Sequence, residues 1–338
     1  MSGPPVLVTG AAGFVGSHLV DALLAHGVPV RALVRDTTNR RFLDPARVSF
    51  AVGDVTDTSP RGDAALAAAA RGCAVVYHVA GLVQAVSPAA FMEANAAGAE
   101  RMALVAAVAR VPRFVLVSSQ AAGGPTAGDA PRDETAPDRP HSAYGTSKLE
   151  GERRALAVAA GLPGEGRRLD VVIVRPPGVY GPRDTAFLRL FRLIQAGFAP
   201  LPGGPGQRVS LVHARDLAQG LLLAAERGRP GERYYLTSGP PVTAGALVDE
   251  MARALAKKPL RVSVPLGMLQ GVAGLAEAWA RARGQVPSVT RERVRDWAAS
   301  RWTVDDAKAR AELGYAPSVA LAQGIEETTA WYRTAGWI

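Results

Sequence analysis

A short apolar run, Val6 to Val8, leads at once into three glycines, Gly10, Gly13 and Gly16. A helical apolar pattern follows, with Phe14, Leu19, Val20, Leu23 and Leu24 on one side. No other stretch restricts the fold so strongly. In order it reads as a buried strand, a tight turn and a helix. Gly10 permits the turn, Gly13 lets the backbone approach a ligand, and Gly16 lets the helix pack close to the strand. The first helical amides, those of Phe14, Val15 and Gly16 among them, then face an anion at the positive end of the helix dipole. A pyrophosphate suits that position.

The 338 residues suffice for a full dinucleotide-binding sheet and a second, smaller lobe. No run of ~18 apolar residues occurs, so no integral membrane segment is expected. The first strand begins within a few residues of Met1, with no basic signal region before it, which predicts a cytoplasmic protein. Cys73 is the single cysteine, which excludes an intramolecular disulfide and reads as a small core hydrophobe. The formal net charge of +9 raises the question of nucleic acid. The cations are nearly all Arg, scattered among helices with few aromatics beside them, so no nucleic-acid partner is expected. Peripheral contact with a membrane stays open. No His, Cys or carboxylate cluster has metal-ligand spacing, and no metal is expected.

Strands and helices alternate through the first half. Residues 28–34, 48–52, 74–79, 113–117 and 170–174 read as strands, and 60–71, 88–110 and a stretch from about 142 as helices. This pattern predicts a parallel sheet covered on both faces. The loop 120–141, rich in Gly, Pro and Asp, is long enough to be functional or mobile. A turn is expected at 161–168. Past Pro176 the rhythm changes to a strand at 208–212, a helix at 214–226, a strand at 233–236 and mainly helix beyond 240, with one strand near 260–264. The expected architecture is α/β. A Rossmann-type doubly wound parallel sheet occupies 1–182, with 208–236 returning to it. A mostly helical substrate lobe is built from 183–207 and 237–338.

Tyr144 and Lys148 are spaced i and i+4 on the helix opening near Ser142, so they share a face. A phenol with a pKa near ~10 is a poor acid-base group, and a neighbouring ammonium favours its ionised form. Lysine is scarce, occurring only at 148, 257, 258 and 308. The fifth strand ends in Ser118-Ser119, and strand C-termini in a parallel sheet face the ligand crevice.

On these residues the chain resembles the extended short-chain dehydrogenase/reductases, which include the nucleotide-sugar epimerases and dehydratases. Thr9-Gly10-x-x-Gly13-x-x-Gly16, Gly53-Asp54-Val55, Tyr77-His-x-Ala80, Ser118-Ser119, Tyr144-x-x-x-Lys148, Arg175-Pro-Pro-Gly-Val-Tyr-Gly-Pro182 and Val212-His-Ala-Arg-Asp-Leu-Ala218 follow the family's order and spacing. The resemblance implies that Tyr144 exchanges a proton with the substrate oxygen. Lys148 lowers its pKa and bonds the nicotinamide ribose. Ser119, five residues before Gly124, holds the substrate oxygen, and Ser118 is a backbone contact near the cofactor. Hydride passes between the nicotinamide and the carbon bearing that oxygen. By the same resemblance Asp54 and Val55 meet the adenine, Ala80 and Gly81 the pyrophosphate and ribose, and Pro176 and Val179 the nicotinamide. Asn95 matches the family's Asn at a helix start, although Ala96 and Ala99 depart from its usual neighbours. Its other reading is a bond to local backbone.

The second strand ends in Val34, where NAD enzymes of this kind place a carboxylate. Arg35 follows, then Asp36, Arg40 and Arg41. The run Val30 to Asp36 resembles reductases of flavonoid-type ketones, and NADP(H) is expected, with NAD(H) as the alternative that Asp36 supports. Gln120-Ala-Ala-Gly-Gly lacks the Asp-Glu pair of the dehydratases. Pro177-Gly178 stands where the epimerases carry Asn, whereas Arg208 favours them. The apolar stretch 264–279 reads as a cover for a greasy substrate, a membrane-surface segment beside Arg281 and Arg283, or an internal helix. His78 and His213 read as packed residues, Asp216 as the cap of the following helix, and Trp297, Trp302 and Trp331 as core.

The expected protein is an NADPH-preferring oxidoreductase interconverting a ketone and a secondary alcohol on a mostly apolar small molecule. Its motifs look most like dihydroflavonol-reductase-like and hydroxysteroid-dehydrogenase-like members. The alternatives are a nucleotide-sugar epimerase with tightly bound NAD and a cofactor-sensing protein without catalysis. The intact Ser119, Tyr144 and Lys148 oppose the last. A homodimer through the helices at 88–110 and 142–160 is expected.

Overall fold

The computed structural model describes residues 3–161, 169–263, 266–283, 290, 291, 294 and 301–338. Most of the turn expected at 161–168, the start of the apolar stretch at 264–265, and Trp297 lie outside the described residues.

Seven strands form one parallel sheet: β1 (Val6–Thr9), β2 (Val30–Val34), β3 (Val48–Val52), β4 (Val75–His78), β5 (Arg113–Val117), β6 (Asp170–Arg175) and β7 (Arg233–Tyr235). Their spatial order is β7-β6-β5-β4-β1-β2-β3, the doubly wound sheet that the sequence predicts. Val6 lies opposite Val30 on one side and Val75 on the other. Alternate residues of β1 point to opposite faces, so Val6 and Val8 join one core and Leu7 the other. Strands buried on both faces need continuous apolar sequence, which is why these segments lack polar alternation. Strand order reverses between β1 and β4, and a crevice opens beyond their C-termini at such a point.

The covering helices are α1 (Phe14–Ala25), α2 (Pro60–Ala70), α3 (Gly98–Val108), α4 (Ala143–Ala160) and α5 (Ala214–Arg227). The single helix expected over 88–110 is three pieces. A turn at Pro88–Phe91 is followed by a π-helical stretch, Met92–Ala97, and then α3. Such π segments occur often at functional sites.

A third apolar cluster lies away from the sheet, built from Tyr180, Phe191, Ile194, Leu247, Met251, Ile325 and Tyr332. The expected strand 208–212 divides at Ser210. Arg208–Val209 pairs with Val242–Thr243 and Arg301–Trp302, and Leu211–His213 pairs with Gly178–Tyr180. Ser210 changes direction because its amide donates to the Trp302 carbonyl and its hydroxyl accepts from the Val304 amide. Ala309, Leu313 and Tyr315 pack into the sheet's own core with Leu221 and Tyr234. The loop 120–141 is tied down rather than free. Thr126 donates to Arg301, Arg132 donates to Thr303, and the Asp305 amide donates back to Arg132. No described helix is long and apolar enough to cross a membrane.

Candidate active site

The glycine turn is shaped for close approach. Gly10 has φ +66°, and a Cβ there would lie 2.8 Å from the Ala80 amide nitrogen. Gly13 is the N-cap of α1, and no side chain caps it. The amides of Phe14, Val15 and Gly16 therefore open the first turn without intrahelical acceptors, facing the crevice end of the sheet. A side chain at Gly16 would drive its Cβ into the Gly10 carbonyl. The cradle thus fits a pyrophosphate through backbone alone. Gly16→Ala is expected to push α1 off the turn and weaken dinucleotide binding about tenfold or more, with about 1–3 kcal/mol of lost stability from overpacking. Fluorescence titration of the cofactor and thermal unfolding read the two effects.

At the adenine end, Arg35 is exposed just past β2, with Nη1 4.0 Å from an Asp54 carboxylate oxygen. Asp54 is braced by Thr56, whose amide and hydroxyl donate to it at 2.9 and 2.8 Å. Val55 packs against Gly98. Arg40 stacks over Phe50, and Arg41 over Phe42 and Trp337. Arg35 is thus the cation of this group that stands beside Asp54.

In the middle, Ala80 donates its amide to the Thr9 hydroxyl at 3.1 Å, and Thr9 also bonds His78 Nδ1 at 3.0 Å. The sequence reading gave Thr9 no role. Its signal was a polar residue closing a fully buried apolar strand. His78 is buried and stacked on Phe114. Burial, with the charge of Lys148, pushes its pKa down to about 3, so it stays neutral. Gly81 backs onto Asn95. Asn95 uses its whole amide internally. It accepts from the Leu82 amide at 2.8 Å and donates to the Leu82 carbonyl at 2.9 Å and the Ser147 hydroxyl at 3.0 Å. Asn95 therefore clamps the loop after β4 to α4.

At the far end, Ser119 caps the short helix Gln120–Gly123, accepting from the Ala121 amide at 3.1 Å. Its hydroxyl lies near enough to the Tyr144 phenol to draw that group's pKa down. Ser142 caps α4, which carries Tyr144 and Lys148. The Tyr144 ring is half-buried, its centroid 5.8 Å from that of Phe91, a neighbour that sequence reasoning missed. Burial raises the Tyr144 pKa, and Ser119 draws it back. Lys148 is buried and donates to the Val117 carbonyl at 2.7 Å. Burial pushes its pKa down to about 8, with Glu152 pulling the other way. The end of β5 thus gathers Ser119, Tyr144 and Lys148.

Ser118 turns away. Its hydroxyl donates to Glu152 and its amide to the Val174 carbonyl, which leaves only its carbonyl for a cofactor. Behind it lies a buried ionic cluster that sequence reasoning missed. Arg175 donates to Glu152 at 2.8 and 2.6 Å and to Asp138 at 2.6 and 3.1 Å. An arginine in an otherwise apolar strand was the available signal. Pro176 is buried and its carbonyl accepts from Gln120, while Val179 pairs with Val212. His213, not Asp216, caps α5. Asp216 accepts instead from Ser238, Ser318 and Val319, joining the chain's later segments to α5. Arg208 is exposed.

The NAD dependent epimerase/dehydratase family model matches residues 6–236. The chain belongs to this family. It is 32% identical to a 4-hydroxy-2-methyl-3-oxo-4-farnesyl-3,4-dihydroquinoline-1-oxide ketoreductase of Stigmatella aurantiaca, over 94% of both chains. It is 33% identical to a ceramide reductase of Caulobacter vibrioides, over 98% of this chain and 96% of that one. A solved structure of DesIV, a dTDP-glucose 4,6-dehydratase from Streptomyces venezuelae with NAD and TYD bound, is similar with TM-score 0.77 and 28% identity, covering 98% of both chains. This protein is an enzyme of the extended short-chain dehydrogenase/reductase class, acting on CH–OH groups.

Proposed function

We propose that this enzyme reduces a ketone on a mostly apolar small molecule to a secondary alcohol, with NADPH preferred. The observation that carries the reading is the gathering of three groups at the end of β5: Ser119 capping Gln120–Gly123, and Tyr144 and Lys148 one turn apart on α4, with Lys148 anchored on the Val117 carbonyl. The two reductase relatives bear a farnesyl group and a ceramide in their names, which supports an apolar substrate. Phe91 beside the phenol suits one.

The nicotinamide cofactor supplies the hydride when bound. Gly10, Gly13, Phe14, Val15 and Gly16 would hold its pyrophosphate, Ala80 and Gly81 the adjoining ribose, and Asp54 and Val55 its adenine. Arg35 would take the extra ribose phosphate. Pro176 and Val179 would line the nicotinamide, with Asn95 and Ser118 bracing from behind. Ser119 holds the substrate oxygen. Tyr144 gives that oxygen its proton, and the burial that raises its pKa keeps the phenol protonated at neutral pH. Lys148, charged below about pH 8, bonds the ribose and balances the phenolate left behind. In the same reading, α3 leaves Leu104 and Val108 exposed one turn apart for the expected homodimer contact.

NADPH consumption with a panel of apolar ketones tests the activity. Interconversion of a uridine-diphosphate sugar without net use of NADPH would replace it with the epimerase. Arg35→Ala is expected to weaken NADPH about tenfold, about 1.4 kcal/mol, and to leave NADH nearly unchanged. Equal weakening of both would remove the phosphate assignment.

A further inference from the structure

The helix Leu266–Ala282 is inside out for a water-soluble surface. Gly267, Met268, Gly271, Val272, Leu275, Ala278 and Trp279 are all exposed, and none is polar. Met268, Val272, Leu275 and Trp279 are 62%, 55%, 76% and 55% exposed. Their spacing of four, three and four residues puts them in one stripe, about 16 Å long at the helical rise. The opposite face is occupied. Ala273 is buried, Gly274 backs onto the Arg291 guanidinium, and Glu277 accepts from the Arg291 amide. A helix on a globular protein ordinarily turns its apolar stripe inward.

The strand just before this helix continues the pattern. Leu260 and Val262 are exposed, and Leu260 pairs with the exposed Phe198. The charge around these residues is mostly positive, with Arg261 paired to Asp249. Between 257 and 283 the sequence carries Lys257, Lys258, Arg261, Arg281 and Arg283 against Glu277 alone. Arg283 lies over the Trp279 ring at 4.1 Å.

We propose that this helix, with the Leu260–Val262 strand leading into it, docks in the plane of an anionic lipid membrane. A helix with an apolar face, a tryptophan and flanking cations takes that position. Lipid head groups of negative charge neutralise the flanking Lys and Arg, and the acyl boundary covers the stripe. A second copy of the chain is the poorer occupant, because a two-fold contact on this face would set these cations against their own copies. The inference rests on the apolar-substrate reading, since a membrane is where such a substrate partitions.

The test uses the full chain with vesicles of phosphatidylcholine, with and without phosphatidylglycerol. The wild-type protein is expected to sediment with the anionic vesicles, and less so as salt rises. Val272→Asp combined with Leu275→Asp changes only outward-facing residues. It is expected to weaken vesicle binding about tenfold or more while NADPH affinity is unchanged. Wild-type protein that stays free of anionic vesicles overturns the proposal. So does a variant that binds them equally well, or a wild-type dimer in sedimentation velocity that the variant dissociates without any lipid effect. Turnover of a dissolved ketone is measured without lipid, so failure of the docking and failure of the reductase reading are separate results.

Discussion

Tyr144→Phe is expected to lower kcat for ketone reduction by about 10²–10⁴-fold, the range a positioned general acid contributes. Cofactor affinity should change by less than about twofold, because the cradle at Gly10, Gly13 and Gly16 does not involve the phenol. Phenylalanine keeps the ring and its contact with Phe91. Ser119 keeps its bond from the Ala121 amide, so the stability cost is at most about 1 kcal/mol. The loss therefore falls on the chemical step. A parallel pH measurement separates phenol from amine. In the proposed mechanism the charged form of Lys148 is the active one, and burial pushes its pKa down to about 8. Wild-type turnover should thus be full below that value and fall as pH rises through it. Lys148→Arg, which stays charged, should lose this falling limb even where its rate is lower. A Tyr144→Phe enzyme turning over at the wild-type rate would show that another group delivers the proton.

The parts of this enzyme legible in the sequence are those set by local pattern. The strand Val6–Thr9, the glycine turn and α1 follow from spacing alone, and so does the shared face of Tyr144 and Lys148. What the sequence left dark depends on contacts between distant residues. Asn95 bonds Leu82 and Ser147, which are 13 and 52 positions away. The adjacent serines 118 and 119 point in opposite directions because strand residues alternate. Alternation does not say which one meets the phenol, and the glycine spacing named Ser119. The loop 120–141 read as functional or mobile because its tethers, Arg301 and Thr303, lie far along the chain, 177 residues away in the case of Thr126 and Thr303. The π-helical stretch at Met92–Ala97, Met-Glu-Ala-Asn-Ala-Ala, has a composition that suits a regular helix, so its widened turn leaves no mark in the pattern.

The other large effect concerns stability. Arg175→Met is expected to cost about 3–5 kcal/mol, because it breaks a buried ion cluster by removing one partner. Arg175 and Glu152 are each 1% exposed. Without the guanidinium, Glu152 keeps the Ser118 hydroxyl, Arg233 at 3.9 Å and the nearby charge of Lys148, none of which replaces the two hydrogen bonds from Arg175 to a carboxylate removed from water. Asp138 fares better, since Arg233 stands at 3.1 Å and Arg132 at 3.7 Å. Arg175→Met combined with Glu152→Leu removes both members and should cost less than Arg175→Met alone. Urea unfolding of the two variants measures the difference, and a double variant less stable than the single would refute the stranded-charge account. The cluster also gives stability a pH dependence. Burial opposes the charge on Asp138, but the hydrogen-bonded guanidinium of Arg175, with Arg233 and Arg132, holds its carboxyl below the usual carboxylate range. Its contribution is therefore complete above about pH 4, the unfolded value, and is lost as pH falls through the lower folded value. In Arg175→Met that contribution should be smaller and exhausted at a higher pH, because the first of the three cations holding Asp138 ionised is gone.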